Sequence, residues 1–150
     1  MSATITVGQD PPRAEILRLL SAAGLPTADV GASAQQTFFG VRDGADRAAW
    51  LGVVGVERHG DEALLRSLTV SPDARGQGLG AKLVATVELF ARARGCRRVV
   101  LLTTDAQAYF ARLGFSPVAR ESLSKALAGS SQVVSICPAS AIVMAKNLPR

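Results

Sequence analysis

Leu68-Thr69-Val70-Ser71-Pro72-Asp73-Ala74-Arg75-Gly76-Gln77-Gly78-Leu79-Gly80 is the stretch that decides the fold. A strand-like run gives way to a Ser-Pro-Asp-Ala loop, and three alternate glycines then open a helical pattern. Without a Cβ, a backbone turns tightly and lets a ligand approach the main chain. The first N–H groups of a helix have no partner inside it, and the helix dipole adds positive potential there. The order strand, glycine loop, helix therefore predicts a phosphate cradle made by Arg75, Gly76, Gln77, Gly78, Leu79, Gly80 and Ala81, with the Arg75 charge at its rim. One or two glycines would suit a plain turn, whereas three in five residues favour phosphate.

Downstream, Leu79, Leu83, Val87 and Phe90 recur at helical spacing and predict one buried face, ended by Gly95. Arg98–Thr103 is short and apolar, as a central strand parallel to the preceding one would be. Ala106–Leu113 reads as a short helix stopped by Gly114, Phe115–Val118 as a strand, residues 121–128 as a helical turn and Ala141–Lys146 as a last strand. Upstream, residues 4–8 start as a strand, Pro11 and Pro12 suit a helix N-terminus, and Gly24-Leu25-Pro26 stops that helix. Thr37–Arg42, Ala49–Arg58 and Glu62–Val70 are three strands separated by turn signals, an antiparallel meander. The order β, α, βββ, α, β, α, β, β predicts a mixed, mostly antiparallel α/β sheet with a central βαβ crossover and flanking helices. With neither repeat nor linker, residues 1–150 read as a single domain.

The class of phosphate is narrowed by what surrounds the loop. A P-loop would need GxxxxGK[ST], which the sequence lacks. Gly76-x-Gly78-x-x-Ala81 does meet a relaxed dinucleotide fingerprint, with Asp105 where a ribose acid would sit. Against it, residues 71–74 separate the loop from its strand, and further parallel βα units are missing. The dinucleotide reading stays open as a minority alternative.

Composition excludes several other classes. Of 150 residues 48% are hydrophobic, which argues against disorder. No apolar run is long enough for a membrane span, and Met1-Ser2-Ala3-Thr4 lacks the features of a secretory signal, so no membrane partner and a cytoplasmic location are expected. Seventeen Lys and Arg against twelve Asp and Glu leave +5, but these charges form no stripe and only 5% of residues are aromatic, so nucleic acid is not the expected partner. A polyanionic small molecule accounts for the balance equally well. Cys96 and Cys137 show no metal spacing, and His59 is the sole histidine, so no metal site is expected.

The quoted stretch closely resembles the acetyl-CoA motif [QR]-x-x-G-x-[GA] of the GNAT superfamily, met by Arg75, Gly78 and Gly80. Ala106-Gln107-Ala108-Tyr109-Phe110-Ala111-Arg112-Leu113-Gly114-Phe115 resembles the family's second conserved helix with its Leu-Gly-Phe ending. More narrowly, Ala23-Gly24-Leu25-Pro26, Ala63–Leu68 and Cys137-Pro138-x-Ser140-Ala141 resemble GNAT proteins associated with bacterial arsenic-resistance gene clusters. The resemblance implies an acetyl-CoA-dependent N-acetyltransferase acting on a primary amine of a small molecule, with a role in arsenic or toxic-compound resistance, and the homodimer common for this fold. It further implies a V-shaped split between the strands at Leu64–Val70 and Arg98–Thr103. Pantetheine would lie there against the backbone of Leu68, Thr69 and Val70, with Thr103 where many members carry an Asn.

Departures from the family pattern bear on catalysis. The residue that usually protonates the leaving thiolate is the Tyr of a Phe-Tyr pair, yet here Tyr109 precedes Phe110, and Phe110 cannot donate. Three alternatives follow: Tyr109 reaches the site through a local helix shift, water or another group supplies the proton, or the chain senses acetyl-CoA without turnover. A rotation of about 100° per residue turns Tyr109 away from the usual direction. Leu64 stands where some relatives carry a catalytic Glu, leaving Glu57 as the candidate base and Glu62 as a solvated charge. Arg66 could hold an anionic group of the substrate or simply face water. Cys96 is expected to be a buried small residue, Cys137 to lie in a shaped loop, and His59 to be solvated in a turn. Neither the acetyl acceptor nor the role of Cys137 follows from the sequence.

Overall fold

The computed structural model describes residues 5–31, 34–44, 50–129 and 141–149. Among these, seven strands form one sheet: β1 (Ile5–Gln9), β2 (Gln36–Asp43), β3 (Trp50–His59), β4 (Glu62–Val70), β5 (Arg98–Thr103), β6 (Ser116–Pro117) and β7 (Ile142–Asn147). Their order across the sheet is β1-β2-β3-β4-β5-β7-β6. The helices are α1 (Arg13–Ala22), α2 (Leu79–Ala93), α3 (Gln107–Arg112) and α4 (Lys125–Ala128), with single 3-10 turns at Pro72–Ala74 and Arg120–Ser122. β4 and β5 are parallel, whereas β1–β2, β5–β7 and β6–β7 are antiparallel. The mixed sheet with a parallel βαβ unit and flanking helices therefore stands as expected. What the pattern of the chain did not reveal is that β7 inserts between β5 and β6.

The contacts divide the chain into two compact units. In the first, residues 1–56 and 67–87, Pro12 precedes α1 with φ −54°, a value its ring imposes and a helix start accepts. Ile16, Leu19 and Leu20 lie at i, i+3 and i+4, so one face of α1 is apolar. That face packs with Val30, Phe38 and Val53, and with the half-buried Leu17, Leu25 and Trp50. Gly24, at φ +70°, ends the helix, and the Leu25 N–H reaches back to the Leu20 carbonyl at 2.9 Å.

In the second unit, residues 57–66 and 88–150, β5 pairs with β7 from Arg98↔Asn147 to Thr103↔Ile142. Leu64, Val100, Leu123, Leu127, Val143 and Ala145 form its core, with Leu102 and Val118 packed against them. Ser124 caps α4, its hydroxyl oxygen accepting the Leu127 N–H at 3.2 Å.

Two expectations need correction. Phe90 is only half-buried, with the Arg94 guanidinium 3.7 Å from its ring centroid; Val84 and Ala91 take its place on the buried face with Leu79, Leu83 and Val87. The strand expected over Phe115–Val118 shrinks to Ser116–Pro117, because Pro117 has no N–H for the ladder. Phe115 is drawn instead to α3, its N–H bonding the Phe110 carbonyl at 3.1 Å.

Candidate functional site

The glycine loop is built from β4 outward. The Ser71 N–H bonds the Leu51 carbonyl at 2.7 Å, tying the end of β4 to β3 before the chain turns. Ala74 is buried, and Arg75 Nε donates to the Val70 carbonyl at 3.1 Å, which closes the loop onto its own strand. Gly76 and Gly78 then adopt φ +81° and +76°, conformations that favour glycine, and a Cβ at either would meet open space. Leu79 is buried and seats the start of α2. The helical ladder begins with the Lys82 N–H on the Gly78 carbonyl at 3.1 Å, so the amides of Leu79, Gly80 and Ala81 precede it. Arg75, Gly76, Gln77 and Gly78 are exposed, while Gly80 and Ala81 are half-buried. A diphosphate fits this donor set: accessible main-chain amides at a helix start, a guanidinium beside them and no side chain in the way.

β4 carries a feature that no residue type announced. Its parallel register with β5 runs from Glu62↔Arg98 to Leu64↔Val100, although both strands continue. Ser67 then takes φ +59°, left-handed for a residue with a side chain, as in a strand that bulges. Beyond it Leu68 and Val70 are half-buried and Thr69 is buried. Gly52 on β3 presses against this segment: a Cβ there would lie 2.9 Å from the Thr69 carbonyl oxygen.

The charged candidates are not arranged as their residue types suggested. Glu57 is buried, with Oε2 accepting from Arg66 Nη1 at 2.8 Å and Oε1 lying 2.9 Å from His59 Nε2. Burial alone would raise its pKa, but the hydrogen bonds to His59 and Arg66 outweigh it and hold the carboxyl below the usual range. A lowered pKa makes Glu57 a poorer base, not a better one. Arg66 does not face water: its side chain is fully buried against Glu57. His59, expected in solvent, keeps 16% of its side chain exposed and is engaged by the same carboxylate. Glu62, read as a solvated charge, is 1% exposed and bonds Arg98 Nε at 2.6 Å and the Ser124 N–H at 3.0 Å. Those bonds outweigh desolvation, and its pKa too is lowered. Alternation along a strand predicts a face, but a neighbour on that face decides whether it is wet.

On α3, Phe110 is buried between two rings: Tyr109 at 5.2 Å and Phe115 at 5.8 Å, both edge-on. Tyr109 is half-buried, and burial pushes its phenol pKa up, partly opposed by Arg112. Thr103 is buried, and its hydroxyl oxygen accepts the Ala106 N–H at 2.9 Å, leaving the hydroxyl proton to donate. Cys96 is buried as expected, and burial raises its thiol pKa. Cys137, Pro138 and Ser140 lie outside the described residues. Asp105 is exposed, and β4–β5 is a lone parallel pair among the registers above, which leaves the dinucleotide fingerprint without its sheet. Among the described residues no group of three or more His, Cys, Asp or Glu could hold a metal, and no helix is long and apolar enough to cross a membrane.

Comparison with known proteins agrees with this geometry. N-alpha-acetyltransferase 80 of Mus musculus is 42% identical over 52 residues, 35% of this chain and 17% of that protein. The amino-acid acetyltransferase of Ralstonia nicotianae is 46% identical over 48 residues, 32% of this chain and 11% of that protein. The matched segments thus span less than a fifth of either curated relative. N-acetylglutamate synthase from Neisseria gonorrhoeae, solved with coenzyme A and N-acetyl-glutamate, superposes with a TM-score of 0.79 over 100% of this chain and 36% of that one. At 18% identity that likeness is one of fold. The family model described as acetyltransferase (GNAT) matches residues 9–115, a span that holds the meander, the glycine loop, the crossover and α3. On these grounds the chain belongs to the GNAT acetyltransferase family.

Proposed function

We propose that this chain transfers the acetyl group of acetyl-CoA to a primary amine of a small molecule, reading residues 1–150 as one cytoplasmic domain. The observation that carries the proposal is the open, left-handed pair Gly76 and Gly78 at the start of α2. There the amides of Gly76–Ala81 and the Arg75 guanidinium would hold the coenzyme's diphosphate. The backbone of Leu68, Thr69 and Val70, beyond the left-handed Ser67, would pair with pantetheine, and Thr103 would donate to its arm. The bound coenzyme would supply the acetyl thioester, main-chain N–H groups would polarise its carbonyl, and positioning would supply much of the rate. With Glu57 bound by Arg66 and His59, we assign it to holding Arg66 and not to taking the amine proton. As the amine attacks and the C–N bond forms, it would lose its proton to water, and as the C–S bond breaks Tyr109, protonated at neutral pH as any phenol is, would be the available acid for the thiolate. The stretches at residues 23–26 and 63–68 and around Cys137 support a role in resistance to toxic amine-bearing compounds, amino-acid-like organoarsenicals among them. A homodimer is the expected assembly.

A second reading, acetyl-CoA sensing without turnover, is favoured by Phe110 at the usual acid position. Thiol release from acetyl-CoA with a panel of amines separates the two, since a sensor binds and releases none. Gly78→Glu puts a carboxylate where the diphosphate would sit and should abolish binding by calorimetry. Unchanged affinity would remove the loop from the site.

A further inference from the structure

Lys146 on β7 makes a set of contacts that neither catalysis nor coenzyme binding has used. Its Nζ donates to Glu88 Oε1 and Oε2 at 3.0 and 3.2 Å, and to the Leu113 carbonyl at 2.9 Å. Glu88 lies on α2, and Leu113 is the C-cap of α3. A cation on a helix's last carbonyls satisfies an acceptor the ladder leaves over and complements the dipole. The lysine stem also explains the family-like Leu113-Gly114-Phe115. Gly114 has φ +99°, and a Cβ there would lie 3.1 Å from Lys146 Cε and 3.4 Å from Cδ. Nζ is 6.0 Å from the Phe115 ring centroid, Phe115 meets Phe110 edge-on, and Phe110 meets Tyr109 in the same way.

α3 has only six residues. So short a helix is unstable alone, and its pose is set by what grips it. We propose that Lys146 is a positioning residue for acetyl transfer: braced by Glu88, it seats the end of α3 and thereby sets where Tyr109 stands. This rests on the reading above, in which Tyr109 protonates the leaving thiolate.

The chain has a single tyrosine, so fluorotyrosine labelling reports Tyr109 alone. Lys146→Met keeps the stem against Gly114 and Phe115 and removes the ammonium, while Lys146→Arg keeps a cation. Folding of each is checked by circular dichroism. Lys146→Met is expected to move the fluorine resonance and to lower kcat about ten- to a hundredfold, with a smaller change in KM for acetyl-CoA. Lys146→Arg is expected to recover most of both. An unmoved resonance in folded Lys146→Met, or a moved resonance with unchanged kcat, overturns the proposal. If Lys146→Met does not fold, Glu88→Gln decides by the same two readouts, with a smaller effect expected and no effect overturning. A wild-type chain that releases thiol with no amine sinks the transfer reading instead. The resonance still decides whether Lys146 holds Tyr109 in place.

Discussion

Tyr109 and Phe110 show how one inverted pair changes the chemistry open to a helix. Phe110 fills a buried slot between Tyr109 and Phe115, a position suited to packing, and the hydroxyl falls to its neighbour. Tyr109 is protonated at neutral pH as an ordinary phenol is, and burial moves its titration further up. Tyr109→Phe should therefore lower kcat by about 10²-fold and remove the alkaline limb of the rate profile, as loss of a general acid does. Steady-state kinetics across pH checks this, and an unaltered profile would take Tyr109 out of the mechanism. The glycine loop, by contrast, was legible residue by residue. Its signal is the absence of side chains at alternate positions, which local sequence states outright.

At the scale of elements, β4 is where strand geometry and the proposed chemistry meet. Gly52 lets β3 press against β4 at Thr69, with the Val70 side chain 3.3 Å and the Leu83 side chain 3.4 Å from where a Cβ would be. The atom in the way at 2.9 Å is a backbone oxygen, which cannot swing aside as a flexible side chain can. Gly52→Ala should cost about 1–3 kcal/mol by overpacking, measured by denaturant unfolding. It should also weaken acetyl-CoA binding by calorimetry, because relief requires β4 to shift at Thr69–Val70. Loss of stability with full affinity would separate that segment from the coenzyme. Strands, helices and their order were readable from turn residues and periodicity. The left-handed backbone at Ser67 was not, since serine at a strand position carries no mark of a positive φ.

For the whole molecule, buried carboxylates set the response to acid. Glu57 and Glu62 both have folded pKa values lowered from 4.5, each because hydrogen bonds outweigh desolvation. A carboxyl with a depressed folded pKa binds its proton more weakly when folded than when unfolded. Its stabilisation is complete above the unfolded value and fades as pH falls through the folded one. Unfolding free energy should thus hold from neutrality to about pH 5 and fall below about pH 4.5. Glu57→Gln should flatten part of that fall and lower stability at pH 7 by about 3–5 kcal/mol, as Arg66 is left buried without its countercharge. Urea titrations at several pH values check both, and an acid limb unchanged by Glu57→Gln would refute the assignment.

The residues alone determined the order of elements, the glycine loop and the family, because each rests on neighbours within a few positions: a missing Cβ, a helical period, a turn. Only the tertiary structure decided that β7 enters between β5 and β6, that Glu57 is held between Arg66 and His59, and that Lys146 grips the end of α3. Those depend on partners up to 58 positions apart, as Lys146 and Glu88 are. A charge on a strand looks the same in sequence whether water or a guanidinium waits beside it, and the packed neighbour alone settles which.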